Sequence, residues 1–126
     1  MSKDFVEYKG GDFRNSLEYE NDSMFFKFFK KIKVNNNKVK EEFYKNIVIS
    51  IQASKGHYSI PRKDLDKFEY LNFEIAFILD NQFLNIDIFK EYLNELLYKK
   101  FKKYDSGGVY GFVPVGDIQI LIESIC

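Results

Sequence analysis

Two stretches of the chain alternate between apolar and polar residues with the period of two that is typical of β-strands. In Ile47–Ser54, the odd positions Ile47, Ile49, Ile51 and Ala53 are apolar, and Ser50, Gln52 and Ser54 fall on the other face. In Phe73–Leu79, Phe73, Ile75, Phe77 and Leu79 share one face. Asp80–Asn81–Gln82 follows as a turn. A third short strand is predicted at Val109–Val113.

Other segments carry apolar residues at helical spacing. Asp22 or Ser23 would cap a short helix that places Phe25, Phe28, Phe29 and Ile32 on one side, before Asn35–Asn37 ends it. Lys38–Lys45 predicts another turn or two. A long helix is predicted from Asn85 or Asp87 to about Lys103, with Ile86, Phe89, Leu93, Leu96, Leu97 and Phe101 facing the core. Pro114 would occupy the first position of a last helix.

These elements predict an α+β domain. We expect a small antiparallel sheet, with strands near residues 47–54, 73–79 and 109–113, and helices packed on one of its faces. Residues 1–21 lack sustained periodicity and contain Gly10–Gly11, so they predict a loosely packed arm with one strand at most. Residues 22–126 would form the single domain.

Composition narrows the classes of function. The longest apolar run, Ile75–Leu79, is far shorter than the roughly 18 residues of a membrane helix, and the N-terminus lacks a signal-peptide core. These features predict a cytoplasmic protein that does not engage a membrane. A single cysteine, Cys126, and a single histidine argue against a metal site, and no cofactor is expected. Zero net charge argues against nucleic acid as a partner.

The charges are nevertheless segregated along the chain. Between Lys27 and Lys45 there are seven lysines and two acidic residues, and between Asp64 and Glu95 there are eight acidic residues and two lysines. Four lysines follow at positions 99, 100, 102 and 103. Such asymmetry would favour head-to-tail homo-oligomers or a charged partner. The alternative interpretation is that these charges lie on solvated faces of separate elements.

Two segments concentrate the unusual residues. Ile51–Arg62 (IQASKGHYSIPR) contains the only histidine, His57, and Tyr104–Asp117 (YDSGGVYGFVPVGD) contains four glycines. Lysine outnumbers arginine seventeen to two, so Arg62 indicates a need for a planar, five-donor guanidinium. The candidate ligand-binding residues from both segments are His57, Tyr58, Arg62, Tyr104, Asp105, Ser106, Gly107, Gly108 and Tyr110. Their backbone amides and aromatic rings would suit an anion and a stacked base.

Two familiar motifs are matched only in part. Asp105–Gly108 (DSGG) resembles the nucleophile segment of trypsin-like proteases, but the chain is too short for that fold, and a type I turn followed by glycine explains it. Tyr110–Val113 (YGFV) resembles the core of the RNA-recognition motif. Pro114 would end the central strand which that motif occupies, and Val115 stands where the motif needs an aromatic residue.

Three segments, SIQASKGHYSIPR, FEIAFIL and VYGFVPVGDIQILIESI, together resemble a group of small uncharacterised proteins from phages and prophages. Those proteins pair a His-Tyr-x-x-Pro-Arg segment with a later Val-Tyr-Gly-Tyr-Val-Pro-Val segment. The resemblance covers about half of the chain and leaves residues 1–45 unmatched. It implies no known activity, but it does imply a phage accessory protein in the host cytoplasm, of a kind that blunts host defence.

The leading hypothesis is therefore a non-enzymatic binding protein that sequesters a nucleotide-like anionic ligand between the 57–62 and 104–110 segments. Arg62 would clamp phosphate, the Gly107 and Gly108 amides would add donors, and Tyr58 or Tyr110 would stack on a base. The alternative is an inhibitor or assembly adaptor that acts on a host protein without a small ligand. An enzyme with His57 as general base lacks a second credible catalytic group apart from Asp105.

Overall fold

Six strands form one antiparallel sheet in the described part of the chain. This computed structural model describes residues 8, 10–16, 19–22, 25–33, 46–53 and 71–126, with the backbone alone for residues 16, 19–22 and 25–33. The strands are β1 (Tyr19–Asp22), β2 (Phe25–Lys33), β3 (Val48–Ala53), β4 (Asn72–Leu79), β5 (Gln82–Leu84) and β6 (Tyr110–Pro114). They follow the order β1-β2-β3-β4-β5, and β6 also pairs with β4.

One 3₁₀ helix of the described residues spans Phe13–Ser16. A second 3₁₀ helix spans Ile86–Tyr92, and the α-helices are α1 (Glu95–Tyr104) and α2 (Val115–Ile125). The predicted α+β class, the antiparallel sheet and the three strand positions are confirmed.

The core lies between one face of the sheet and the helices. The odd positions of β3 and β4 that the alternation assigned to this face, from Ile49 to Ala53 and from Phe73 to Phe77, have no exposed surface. The helical elements supply Phe89, Phe101 and Ile122 from the other side, also fully buried. The ring centroid of Phe77 lies 5.3 Å from that of Phe89 and 6.4 Å from that of Phe101. Helices therefore pack on this face, as predicted.

The predicted helix after Asp22 or Ser23 is wrong, because Phe25–Lys33 forms β2. Its residues pair with β1 on one side and with β3 on the other, for example Phe28 with Ala53 and Ile32 with Ile49. Phenylalanine is favoured in strands. A run of only nine residues is compatible with both the helical period of 3.6 and the strand period of two, so pairing with the neighbouring strands determines its structure. The predicted helix at Lys38–Lys45 lies outside the described residues.

The predicted helix from Asn85 to Lys103 is interrupted. Asn85 does cap its start, since the Asn85 side chain accepts a hydrogen bond from the Asp87 amide. Leu93 and Asn94 then adopt extended backbone, with ψ of 147° and 154°, and the Asn94 side chain caps α1 by accepting from the Leu97 amide at 2.8 Å. This restart shifts the helical phase, so Leu96 is 66% exposed rather than buried as predicted.

The β4–β5 hairpin and α2 agree closely with the sequence pattern. Asp80 and Asn81 both have positive φ, 49° and 64°, which is the signature of a two-residue type I′ turn. Asp and Asn tolerate this region better than other non-glycine residues. Pro114 precedes α2 as its cap residue, one position before the predicted one.

Residues 10–16, which belong to the predicted N-terminal arm, contact the core. Phe13 is fully buried, and its ring meets that of Phe73 edge-on at a centroid distance of 5.9 Å. The Gln119 side chain of α2 accepts a hydrogen bond from the Phe13 amide at 2.7 Å and donates one to the Gly11 carbonyl at 2.7 Å. Residues 10–16 are thus anchored to the core by one aromatic side chain and one amide.

Strand β6 contains a bulge at an unusual residue. Val113 pairs with Phe73 and Tyr110 with Ile75, so two β6 residues, Gly111 and Phe112, lie opposite one β4 residue. Phe112 has φ of 54°, a left-handed conformation that side chains disfavour. The Phe112 carbonyl accepts a hydrogen bond from the Asn72 side chain at 2.8 Å.

At position 112 we expect a glycine variant to be more stable than an alanine variant. Both substitutions remove the ring, but only alanine keeps the penalty of a Cβ in the left-handed region, so Phe112→Gly should be more stable than Phe112→Ala by about 1 kcal/mol. Urea denaturation of the two variants measures this difference. Val113, the next residue in β6, is the matched control: there the alanine variant should be the more stable one, as in ordinary strands. If the alanine variant were the more stable one at both positions, Phe112 would not be under backbone strain.

Candidate functional site

The loop that joins α1 to β6 is held together by its own side chains. Asp105 Oδ1 accepts hydrogen bonds from the Gly107 and Gly108 amides at 3.2 and 3.4 Å. The Ser106 amide donates to the Val109 carbonyl at 2.7 Å, and the Ser106 hydroxyl donates to the Tyr104 carbonyl at 3.0 Å. The φ angles of Gly107 and Gly108, 81° and 104°, require glycine. These two amides therefore already have a carboxylate acceptor, and they are not the open anion cradle that we predicted.

Tyr110 belongs to the core. It is 2% exposed, and its ring centroid lies 5.6 Å from that of Phe77 and 5.7 Å from that of Phe101. The Tyr110 hydroxyl accepts a hydrogen bond from the Ile86 amide at 2.8 Å, and burial raises the pKa of the Tyr110 phenol. Because the side chain is buried and its hydroxyl is bonded, Tyr110 does not present the predicted stacking surface for a base.

Tyr104 joins the end of α1 to the start of α2. Its hydroxyl donates to Asp117 Oδ2 at 2.5 Å, and its half-buried ring lies edge-on to Phe101 at 5.6 Å. Burial, and then the bond to Asp117, raises the pKa of Tyr104 to about 12. Lys100 Nζ lies 3.4 Å from Asp117 Oδ1. The sequence analysis did not include Asp117 among the candidate residues, although it is only 7% exposed. An acidic residue among the apolar residues Val115, Ile118 and Ile122 indicates a buried carboxylate that needs a partner.

Several of the segregated charges compensate one another across elements. Three of the four lysines at 99–103 lie near carboxylates: Lys99 with Glu95 at 3.0 Å, Lys100 with Asp117 at 3.4 Å and Lys102 with Asp87 at 2.8 Å. A hydrogen bond from Lys102, and a second from Tyr98, lower the pKa of Asp87. Three lysines of α1 are therefore paired with carboxylates within the molecule. This pairing favours the interpretation that the segregated charges lie on solvated faces of separate elements.

The face of the sheet that points away from the helices carries a depression of about 180 Å³. The described residues that line it are Ser50, Gln52, Glu74, Ala76, Ile78, Phe83 and Val109, none of which is a predicted ligand residue. β3 and β4 supply its floor through the even positions of their alternating pattern, and Ser50 is 1% exposed. The signal in the sequence was the pair of polar residues, Ser50 and Gln52, on the outward face of an otherwise apolar strand.

The Asp105–Val109 loop borders this depression. Val109 lines it directly, and a Cβ placed on Gly108 would lie 3.8 Å from Cδ2 of Phe83 on β5. Phe83 is 61% exposed at the rim. Gln52 on the opposite side belongs to β3, the strand that leads along the chain into the Ser54–Arg62 segment. The structure thus brings one predicted segment next to the strand that precedes the other.

The remaining predicted ligand residues, His57, Tyr58 and Arg62, lie outside the described residues. The other arginine, Arg14, is described and is already engaged. Its Nη2 lies 2.6 Å from Asp12 Oδ2 and its Nε 3.0 Å from Asp12 Oδ1, a forked pair that raises the pKa of Arg14. Arg14 offers a matched control for experiments on Arg62.

Comparisons with family models, with curated proteins and with solved structures find no match to this chain. Among the described residues, no group of three or more His, Cys, Asp or Glu side chains could hold a metal ion. None of the helices in the described ranges is long and apolar enough to span a membrane.

Proposed function

We propose that this chain is a non-enzymatic binding protein that sequesters a nucleotide-like anionic ligand where the Asp105–Val109 loop borders the depression on the sheet. The observation that carries this proposal is the shared depression: Val109 and Gln52 line it from opposite sides, next to the two segments that hold the distinctive residues. Ligand sites are typically concave and mostly apolar, with a few polar groups that fix orientation.

The role of the Asp105–Val109 loop in ligand binding would differ from the one predicted from the sequence. Because Asp105 occupies the Gly107 and Gly108 amides, the loop would serve as a wall through Val109 rather than as a set of anion donors. Phosphate binding then depends on Arg62, whose guanidinium can donate two parallel hydrogen bonds to phosphate oxygens. His57 would add a donor, and Tyr58 would stack on the base.

Calorimetry with a panel of nucleoside mono- and diphosphates and cyclic nucleotides tests the proposal. We expect at least one of them to bind the full chain, and Arg62→Ala to weaken it by about 10- to 100-fold, since losing a charge-assisted fork removes about 1.5–3 kcal/mol. Arg14→Ala is the control, because its guanidinium is held by Asp12, and it should leave the affinity unchanged. Equal affinity of wild type and Arg62→Ala would remove Arg62 from the site.

An inhibitor of a host protein is the second candidate, and the exposure of Phe83 at the rim of the depression favours it. Aromatic side chains are enriched at protein interfaces. In that case the nucleotide panel would give no heat with the wild-type chain. The resemblance to phage accessory proteins is compatible with either candidate, as both would act against a host defence.

A further inference from the structure

Ser50 is a buried hydroxyl whose proton has no acceptor among the described residues. The residue is 1% exposed and lies on the floor of the depression. Its Oγ accepts a hydrogen bond from Gln52 Nε2 at 2.7 Å, which uses the oxygen but not the proton. Buried donors are almost always paired in folded proteins, and an unpaired one calls for a missing partner.

Ser50 lies opposite Ala76 in the register of β3 and β4, and both residues line the depression. The bond from Gln52 also holds the Gln52 amide against the floor, and no side chain of the described residues bonds to its Oε1 or its second N–H. Ser50 and Gln52 therefore present a donor beside an acceptor.

We infer that the Ser50 hydroxyl and the Gln52 amide read the hydrogen-bonding edge of a planar heterocycle, the base of the ligand. Ser50 would donate to a ring carbonyl or ring nitrogen, and Gln52 Oε1 would accept from the adjacent N–H. Proteins recognise unstacked bases in this way, by hydrogen bonds to the base edge and apolar contacts to its faces. Phe83 and Val109 provide apolar walls of the depression, and Ala76 and Ile78 provide the apolar part of its floor. This inference rests on the proposed function and names the part of the ligand that would enter the depression.

NMR titration of the ¹⁵N-labelled full chain with free nucleosides tests the base pocket without any phosphate. The probes are adenosine, guanosine, cytidine, uridine and inosine, with 3-methyluridine and ribose as controls that lack the ring N–H edge. We expect at least one nucleoside to shift the backbone amides of Ser50, Gln52 and Val109, and the two controls to leave them unchanged.

Two variants test the groups themselves. Ser50→Ala and Gln52→Leu should each weaken nucleoside binding at least tenfold. Ser124→Ala should not, because that hydroxyl donates to the Ile120 carbonyl within α2, away from the depression. Ser50→Ala should also be no less stable than wild type in urea, which separates a lost ligand contact from a lost fold.

The outcomes separate this inference from the proposed function. If nucleotides bind with the help of Arg62, but Ser50→Ala and Gln52→Leu bind equally well, the base pocket is wrong and the proposed function stands. If nucleosides bind through Ser50 and Gln52, while phosphate and Arg62 add nothing, the pocket stands and the anionic ligand is wrong. Unchanged amides at Ser50, Gln52 and Val109 with every nucleoside would overturn the pocket and leave an ordered water as the partner of Ser50.

Discussion

Tyr110→Ala is expected to lower the free energy of unfolding by about 3–5 kcal/mol, as large aromatic truncations in cores do. The side chain is 2% exposed and lies between Phe77 and Phe101, which come from β4 and α1. Its loss would open a cavity where the sheet and the helix meet. Tyr110→Phe should be milder, about 1–3 kcal/mol, because it leaves only the Ile86 amide without its acceptor.

Chemical denaturation of the two variants measures both effects. The control is Phe83→Ala, which removes an aromatic side chain that is 61% exposed and should therefore cost less than about 1 kcal/mol. The result also decides the role of a residue that the sequence analysis placed in the ligand site. Unchanged stability in Tyr110→Ala, together with loss of ligand affinity, would return Tyr110 to the site and refute its core role.

Phe13→Ala is expected to have an effect of similar size, about 3–5 kcal/mol. Phe13 is fully buried against Phe73, and the Phe13 amide is bonded to Gln119 of α2. The truncation would therefore remove a fully buried contact between residues 10–16 and the core. Thermal or urea denaturation, followed by circular dichroism, gives the difference.

Arg14→Ala is the matched control for Phe13→Ala because it alters the adjacent residue. The Arg14–Asp12 pair is partly exposed, with side-chain exposures of 38% and 40%, so its removal should change stability by about 0–1 kcal/mol. Similar losses in both variants would mean that the ion pair, rather than Phe13, anchors this segment. No loss in either would support the loosely packed arm that the sequence predicts.

The candidate site illustrates how far residue types alone can lead. Glycines, tyrosines and an Asp-Ser pair in one loop suggested an anion cradle with a stacking face. In the structure Asp105 takes the glycine amides, and Tyr110 turns into the core. The same composition suits a well-made turn as well as a binding loop, because both need glycine at positive φ and a side chain that accepts from the backbone. Only the direction of each side chain separates the two.

The depression could not be found from one strand. Its floor requires β3 and β4 in a specific antiparallel register, with Ser50 opposite Ala76 and Gln52 opposite Glu74. Its wall requires Val109, more than fifty residues after β3, to approach the same face. Period-two alternation assigned Ser50 and Gln52 to the outward face correctly, but it carries no information on which distant residues border that face.

The local pattern of the chain could be predicted from its residues alone: the strands β3 and β4 and their core-facing positions, the Asp80–Asn81 turn, and the apolar side of α2. When one face of an element is buried, apolar residues recur every two positions in a strand and every 3.6 positions in a helix. This periodicity is visible in the sequence itself. Three features could be seen only in the folded chain: Phe25–Lys33 is a strand, Phe13 is buried in the core, and the helix breaks at Asn94. Each of these depends on a partner distant in sequence or on one local cap, and pairing energy outweighs the small differences in intrinsic propensity.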